Sequence, residues 1–159
     1  MKTGKNQAKK GKIKGFPSVV DAGLAFKHGF YLETGWILSL LFEKKAKNLL
    51  RRIENEPRSA GYSFEQSIRR MKYLYRAGCV PQLNEFLDKG LIDEMWHWKK
   101  TRNSMLKDMM TSRVSQPRME RVASEAISLY KKWNRGLKIV RDALKNTANP
   151  TLQQMAEAK

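Results

Sequence analysis

Apolar residues along this chain recur at steps of three and four, the spacing that lines one face of an α-helix, and no stretch alternates convincingly with the two-residue period of a strand. Ser18, with Asp21 in the first turn, predicts a short helix to about Phe26. A longer helix is predicted from about Phe30 to Glu54, striped by Ile37, Leu38, Leu41, Leu49, Leu50 and Ile53 and broken by Pro57, Ser59 and Gly61. Ser63-Phe64-Glu65-Gln66 has the form of a capping box, in which the serine and the glutamine three residues on each satisfy a backbone donor. The helix behind it carries Phe64, Ile68, Met71 and Tyr75 and stops near Gly78. Pro81 opens a short helix with Leu83, Phe86 and Leu87, and Gly90 reads as its C-terminal stop. Asp93 then caps a helix to about Met110. From Ser115 and Pro117 a last long helix carries Val122, Ala126, Leu129, Trp133, Leu137, Val140 and Leu144. The pattern predicts an all-α, compact bundle of about four to six helices whose short connections favour antiparallel neighbours.

Composition limits what such a bundle can be. At 159 residues, with 41% hydrophobic and 30% charged, the chain suits one domain and is too apolar for a disordered protein. The expected organisation is a basic arm over 1–15, a helical domain over 16–145 and a loose tail over 146–159. The longest apolar run, Trp36 to Phe42, contains Ser39 and is far short of a bilayer span, so no membrane partner is expected. The N-terminal lysines lead into no apolar stretch, unlike a secretory signal. One cysteine, Cys79, excludes an internal disulfide and suits a reducing cytoplasm. With only His28 and His97 beside it, no metal site or other cofactor is expected. Phosphate-cradling glycine loops and serine-nucleophile patterns are absent.

Charge adds the first functional indication. The 32 Lys+Arg against 15 Asp+Glu give +17. Residues 1–15 hold six lysines and no acid, and setting these aside leaves +11, so the arm alone does not explain the excess. A polyanion, foremost nucleic acid, is the expected partner. Arg69, Arg70 and Lys72 form a cluster with no acid between Ser67 and Arg76, and Lys99 and Lys100 adjoin Trp96 and Trp98, an arrangement able to hold phosphates and stack an unpaired base. Each cluster alone is most simply a solvated helix face, and the tryptophans, two positions apart, point one to the core and one outward.

The segment DEMWHWKKTRNSMLKDMM (93–110) holds the sharpest anomaly. Its apolar positions are Met95, Trp98, Met105, Leu106 and Met109, and Arg102 lies in register between Trp98 and Met105. A guanidinium on that stripe is costly unless paired. The common explanation is a carboxylate such as Glu33 or Glu43, or an edge position that lets the head reach water. The alternative is a polar cleft in which Arg102 meets an anion. Asn103 and Lys107 share the adjacent face.

The run LNEFLDKGLIDEMWHWKKTRNSMLKD resembles the central signature of the HEPN superfamily, small helical bundles that include RNA-cleaving toxins, defence proteins and RNA-binding modules. The resemblance rests on Gly90-Leu91-Ile92 as a turn, Arg102-Asn103 as the start of an Arg-polar-x-x-x-His motif, and Leu129, Tyr130, Trp133 and Asn134 on the long final helix, and it spans roughly residues 30–145. It implies an RNA partner in preference to DNA, a homodimer, and a site of Arg102, Asn103 and Lys107, with metal-independent RNA cleavage if the site is active and an antitoxin or other protein partner if the chain is of the toxin type. At the family's histidine position stands Lys107. An ordinary lysine titrates near ~10.4 and a histidine near ~6.5, so Lys107 suits phosphate binding better than acid–base catalysis. His97, ten residues upstream, does not replace it. Two other readings remain: residues 82–110 as a helix-turn-helix that reads DNA, and a helical interaction protein whose charge matches an acidic partner.

Overall fold

A computed structural model describes residues 15–54, 61–78, 81, 83 and 89–147, and every regular element among them is helical. Among the described residues five helices have both ends described: α1 (Val19–Lys27), α2 (Tyr31–Glu54), α3 (Phe64–Arg76), α4 (Lys89–Thr111) and α5 (Gln116–Thr147). Residues 1–14 of the arm expected over 1–15, Cys79, and residues 148–159 of the tail expected over 146–159 lie outside the described residues, as does most of the short helix expected after Pro81. Residues 146 and 147 belong to α5, and Pro81 and Leu83 are themselves helical, with Leu83 fully buried.

Local chemistry sets several boundaries. Ser18 and Asp21 form a reciprocal cap on α1: the Ser18 amide donates to the Asp21 carboxylate at 2.7 Å and the Asp21 amide to the Ser18 hydroxyl at 3.3 Å. Ser63 and Gln66 repeat the device on α3 at 2.7 and 3.2 Å. After α1, Gly29 takes φ +77, a conformation open to glycine, and reverses the chain into α2. Ala22 and Ala25 are buried there, and the Thr34 hydroxyl donates to the Phe30 carbonyl at 3.0 Å.

One boundary differs from the sequence expectation. Gly90-Leu91-Ile92 does not form the expected turn: all three residues are helical and lie within α4. Ile92 is fully buried in the shared core, so helical continuation here removes apolar surface from water that a stop at Gly90 would leave exposed. Asp93 consequently sits inside α4 rather than at its cap, and its carboxylate takes the Lys72 ammonium of α3.

The core is one cluster drawn from all five helices. At its centre the Phe42 ring of α2 meets Phe64 of α3 at 6.0 Å, Trp98 of α4 at 5.5 Å and Tyr130 of α5 at 5.5 Å. The Trp98 indole N–H donates to the Val122 carbonyl at 2.9 Å, tying α4 to α5. Of the expected α5 stripe, Val122, Ala126, Leu129, Trp133 and Val140 are buried, while Leu137 and Leu144 pack against the core edge. No helix of the described residues is long and apolar enough to cross a membrane.

Phe42→Ala is expected to cost about 3–5 kcal/mol, whereas Ile139→Ala, on the exposed face of α5, should change stability by less than about 0.5 kcal/mol. Urea denaturation midpoints of the two variants check the contrast; equal effects would place the centre of the core elsewhere.

Candidate nucleic-acid interface

α4 carries the residues singled out by sequence, and its rotation about its own axis, set by buried Met95, Trp98 and Met105, decides where they face. Arg102 is half-buried. Its guanidinium donates to the Asn103 side-chain oxygen at 3.3 Å. Burial pulls its pKa down from the usual arginine value, and no carboxylate among the described residues forms an ion pair with it. Of the two acids considered from sequence, Glu43 is held by Lys47 at 2.6 Å and Glu33 is exposed at the start of α2. Lys107 is exposed slightly more than one turn beyond Asn103.

Arg102 borders an open, mainly apolar cavity of about 980 Å³. Its walls come from the segment before α1 (Phe16, Pro17), from α2 (Leu32, Trp36, Ile37, Leu40), from α4 (Met105, Leu106) and from Val122 of α5, with Asp21 and Glu33 also on the lining. Gly35 opens this space from within α2: a Cβ added there would meet nothing within 4 Å. Trp36 is 61% exposed and Leu106 37%, so the cavity opens at exposed apolar side chains; Met109 and, at 87%, Met110 are exposed on the next turn of α4. Met105 is buried as its place on the stripe implies. Leu106 and Met109 are not, although Asp108 between them still pairs with Arg118 of α5.

The second predicted cluster is brought together around one ring. Arg69 of α3 and Lys99 and Lys100 of α4 approach the partly buried Trp96 at 5.7, 5.3 and 5.4 Å, distances at which a cation is attracted to an indole face. Trp98, its companion, is core. Most cations of this face are already matched. Glu65 binds both Arg69, at 2.7 Å, and Lys99; Glu54 holds Arg70; Asp93 holds Lys72. Sequence showed no acid between Ser67 and Arg76, and the neutralising acids come from other helices or from the turn before. Lys100 alone of the five forms no ion pair among the described residues.

A further set of cations was legible only in part. Between α2 and α5 a groove of about 440 Å³ is lined by Lys45, Asn48, Arg52, Asn134, Lys138 and Arg141. Arg52 belongs to a basic pair visible in sequence and Asn134 to the family-like pattern on α5. Their convergence depends on two helices 80 to 90 positions apart lying side by side, which no local spacing reveals. No group of three or more metal-ligating side chains occurs among the described residues. Comparison with protein families, curated proteins and solved structures finds no match to this chain.

Glu65 provides a pH test of the Trp96 face. Its carboxyl is held below the ordinary value of 4.5, first by the hydrogen bond from Lys99 and then by that from Arg69. A depressed carboxyl pKa contributes stability that is present above the unfolded value and is lost as pH falls through the folded one. Glu65→Gln should therefore be less stable than the parent at neutral pH and converge with it below pH 4.5. Denaturation midpoints across pH measure this, and parallel curves would show that the two cations do not act through Glu65.

Proposed function

We propose that this chain is an RNA-binding helical bundle of the HEPN type that works as a homodimer and binds without efficient cleavage. The observation that carries the reading is Arg102: a half-buried guanidinium, braced by Asn103 and lacking a carboxylate counter-charge among the described residues, on the border of an open cavity. Desolvation of such a group is offset when an anion arrives, and a phosphate offers the oxygens a guanidinium fork matches. Asn103 orients the fork. Lys107 adds a positive charge where the family has its acid–base histidine, which favours phosphate binding over proton transfer. The positive body charge supplies the long-range attraction.

The homodimer rests on a separate observation. Trp36, Leu32, Phe16 and Leu106 expose a continuous apolar surface beside Arg102, and Asp21 and Glu33 lie on the same cavity lining. A patch that combines apolar groups with both signs of charge supplies the groups that a two-fold interface, in which one surface meets itself, would pair.

RNA binding and cleavage measured on the parent, Arg102→Met and Lys107→His test the first reading. Methionine suits the apolar stripe, so the fold should persist while RNA affinity falls tenfold or more, as expected for loss of a charge-assisted contact worth about 1.5–3 kcal/mol. The parent should bind without cleaving, and Lys107→His should gain cleavage. Absence of RNA affinity in the parent would sink the proposal; a preference for one duplex DNA sequence would favour a DNA-reading α4 instead. For the dimer, Trp36→Glu should halve the mass seen by sedimentation equilibrium at unchanged helicity, and a parent that sediments as a monomer refutes it.

A further inference from the structure

The groove between α2 and α5 differs from the Trp96 face in its charge balance. Lys45, Asn48 and Arg52 recur on α2 at steps of three and four, and Asn134, Lys138 and Arg141 recur on α5 at steps of four and three, so each helix offers an amide and two cations along one face. No carboxylate lines the space. Among the described residues Lys45, Arg52 and Lys138 form no ion pair, and Arg141 has only its exposed neighbour Asp142 at 3.7 Å, a contact of little worth in water. Four like charges thus face one groove, whereas on the Trp96 face Glu54, Glu65 and Asp93 pair four of the five cations.

The groove is also partly pre-arranged. The Lys45 ammonium is held by the Asn134 side-chain oxygen and lies 5.1 Å from the Tyr130 ring. With its oxygen accepting from Lys45, Asn134 has its amide N–H groups left to donate to an acceptor oxygen. Tyr130 is itself packed on Phe42, so this cation is anchored to the core and not displayed on a free stem.

We propose that the α2/α5 groove is a phosphate-binding site that takes adjacent phosphate groups, as a single-stranded nucleic-acid backbone or a pyrophosphate presents them. It holds the charge with Lys45, Arg52, Lys138 and Arg141 and receives phosphate oxygens on the two asparagine amides. The site is distinct from Arg102 and stands whether or not α4 contacts RNA.

The test compares the full chain with two triple variants that each remove three exposed cations. Arg52→Gln/Lys138→Gln/Arg141→Gln alters the groove, and Lys27→Gln/Arg113→Gln/Arg121→Gln alters other surfaces by the same charge. In the first arm, a short oligouridine is titrated at several salt concentrations. Each lost phosphate contact on a single strand lowers the slope of log affinity against log salt by about 0.7, so the groove variant should lose roughly two units and at least tenfold in affinity, and the control much less. In the second arm, inorganic pyrophosphate is followed by the NMR signals of the Asn134 side-chain amide, which should shift in the parent and the control and stay still in the groove variant. Separation of the variants by oligouridine alone identifies a strand as the ligand. Separation by pyrophosphate in a chain that does not bind oligouridine supports the groove and overturns the RNA reading. If the groove variant matches the control in both arms, the groove proposal is wrong.

Discussion

Phe42 sets the geometry on which the rest of the molecule depends. Its ring touches one aromatic side chain from each of the three other long helices, Phe64, Trp98 and Tyr130, so the rotation of α3, α4 and α5 about their axes is referred to a single side chain of α2. Aromatic contacts have preferred tilts and centroid separations as well as large buried areas, and they specify orientation more sharply than aliphatic packing of equal area. Two consequences reach the surface. Trp98, fixed against Phe42 and by its hydrogen bond to Val122, turns Arg102 on the following turn of α4 toward the cavity. Tyr130, fixed against Phe42 on one side, presents its ring to Lys45 and so to the α2/α5 groove.

Charge is distributed over this frame unevenly. Arg70–Glu54 links α3 to α2, Lys72–Asp93 and Lys99–Glu65 link α3 to α4, and Arg118–Asp108 and Lys132–Glu94, each at 2.8 Å, link α5 to α4. Individual surface pairs contribute little stability. In a chain of +17 their larger effect is to relieve repulsion between neighbouring basic helices. These pairs do not reach every cation: among the described residues Lys45, Arg52, Lys138, Lys100, Lys107 and Arg102 form no ion pair, and Arg141 has only Asp142 at 3.7 Å.

What could be read from sequence follows the range of the interactions. The caps of α1 and α3 involve residues three apart, and both were legible from Ser18, Asp21, Ser63 and Gln66. The stripes on α2 and α5 were legible for the same reason, since helical periodicity repeats a local rule. Gly90 and Asp93 misled because a glycine and an acid signal a boundary only when nothing else claims them; here Ile92 was claimed by the core and Asp93 by Lys72 on another helix. Arg70 and Lys72 looked unopposed because Glu54 and Asp93 reach them from other helices, while Arg69 is met by Glu65 one turn earlier on its own helix. Arg102 stood out since an arginine on an apolar stripe is anomalous in any fold. That it would lack a partner was not legible, and neither was the groove that joins Lys45 to Lys138, which exists only once α2 and α5 are side by side.

The two anion-binding candidates differ in the physics available to them. The groove's Arg52, Lys138 and Arg141 are exposed, so their attraction works through water, weakens within about 10 Å at ordinary ionic strength and favours capture of any phosphate-bearing strand. Arg102 has already lost part of its hydration to the wall of an apolar cavity, so an anion that reaches it interacts at a lower effective dielectric and over a shorter range. Solvated cations raise the encounter rate without selecting a geometry, whereas a desolvated, braced guanidinium selects strongly and attracts weakly from afar. A protein that must first collect a flexible polyanion and then place one phosphate needs both, and the Phe42 cluster is what holds them at a constant relation.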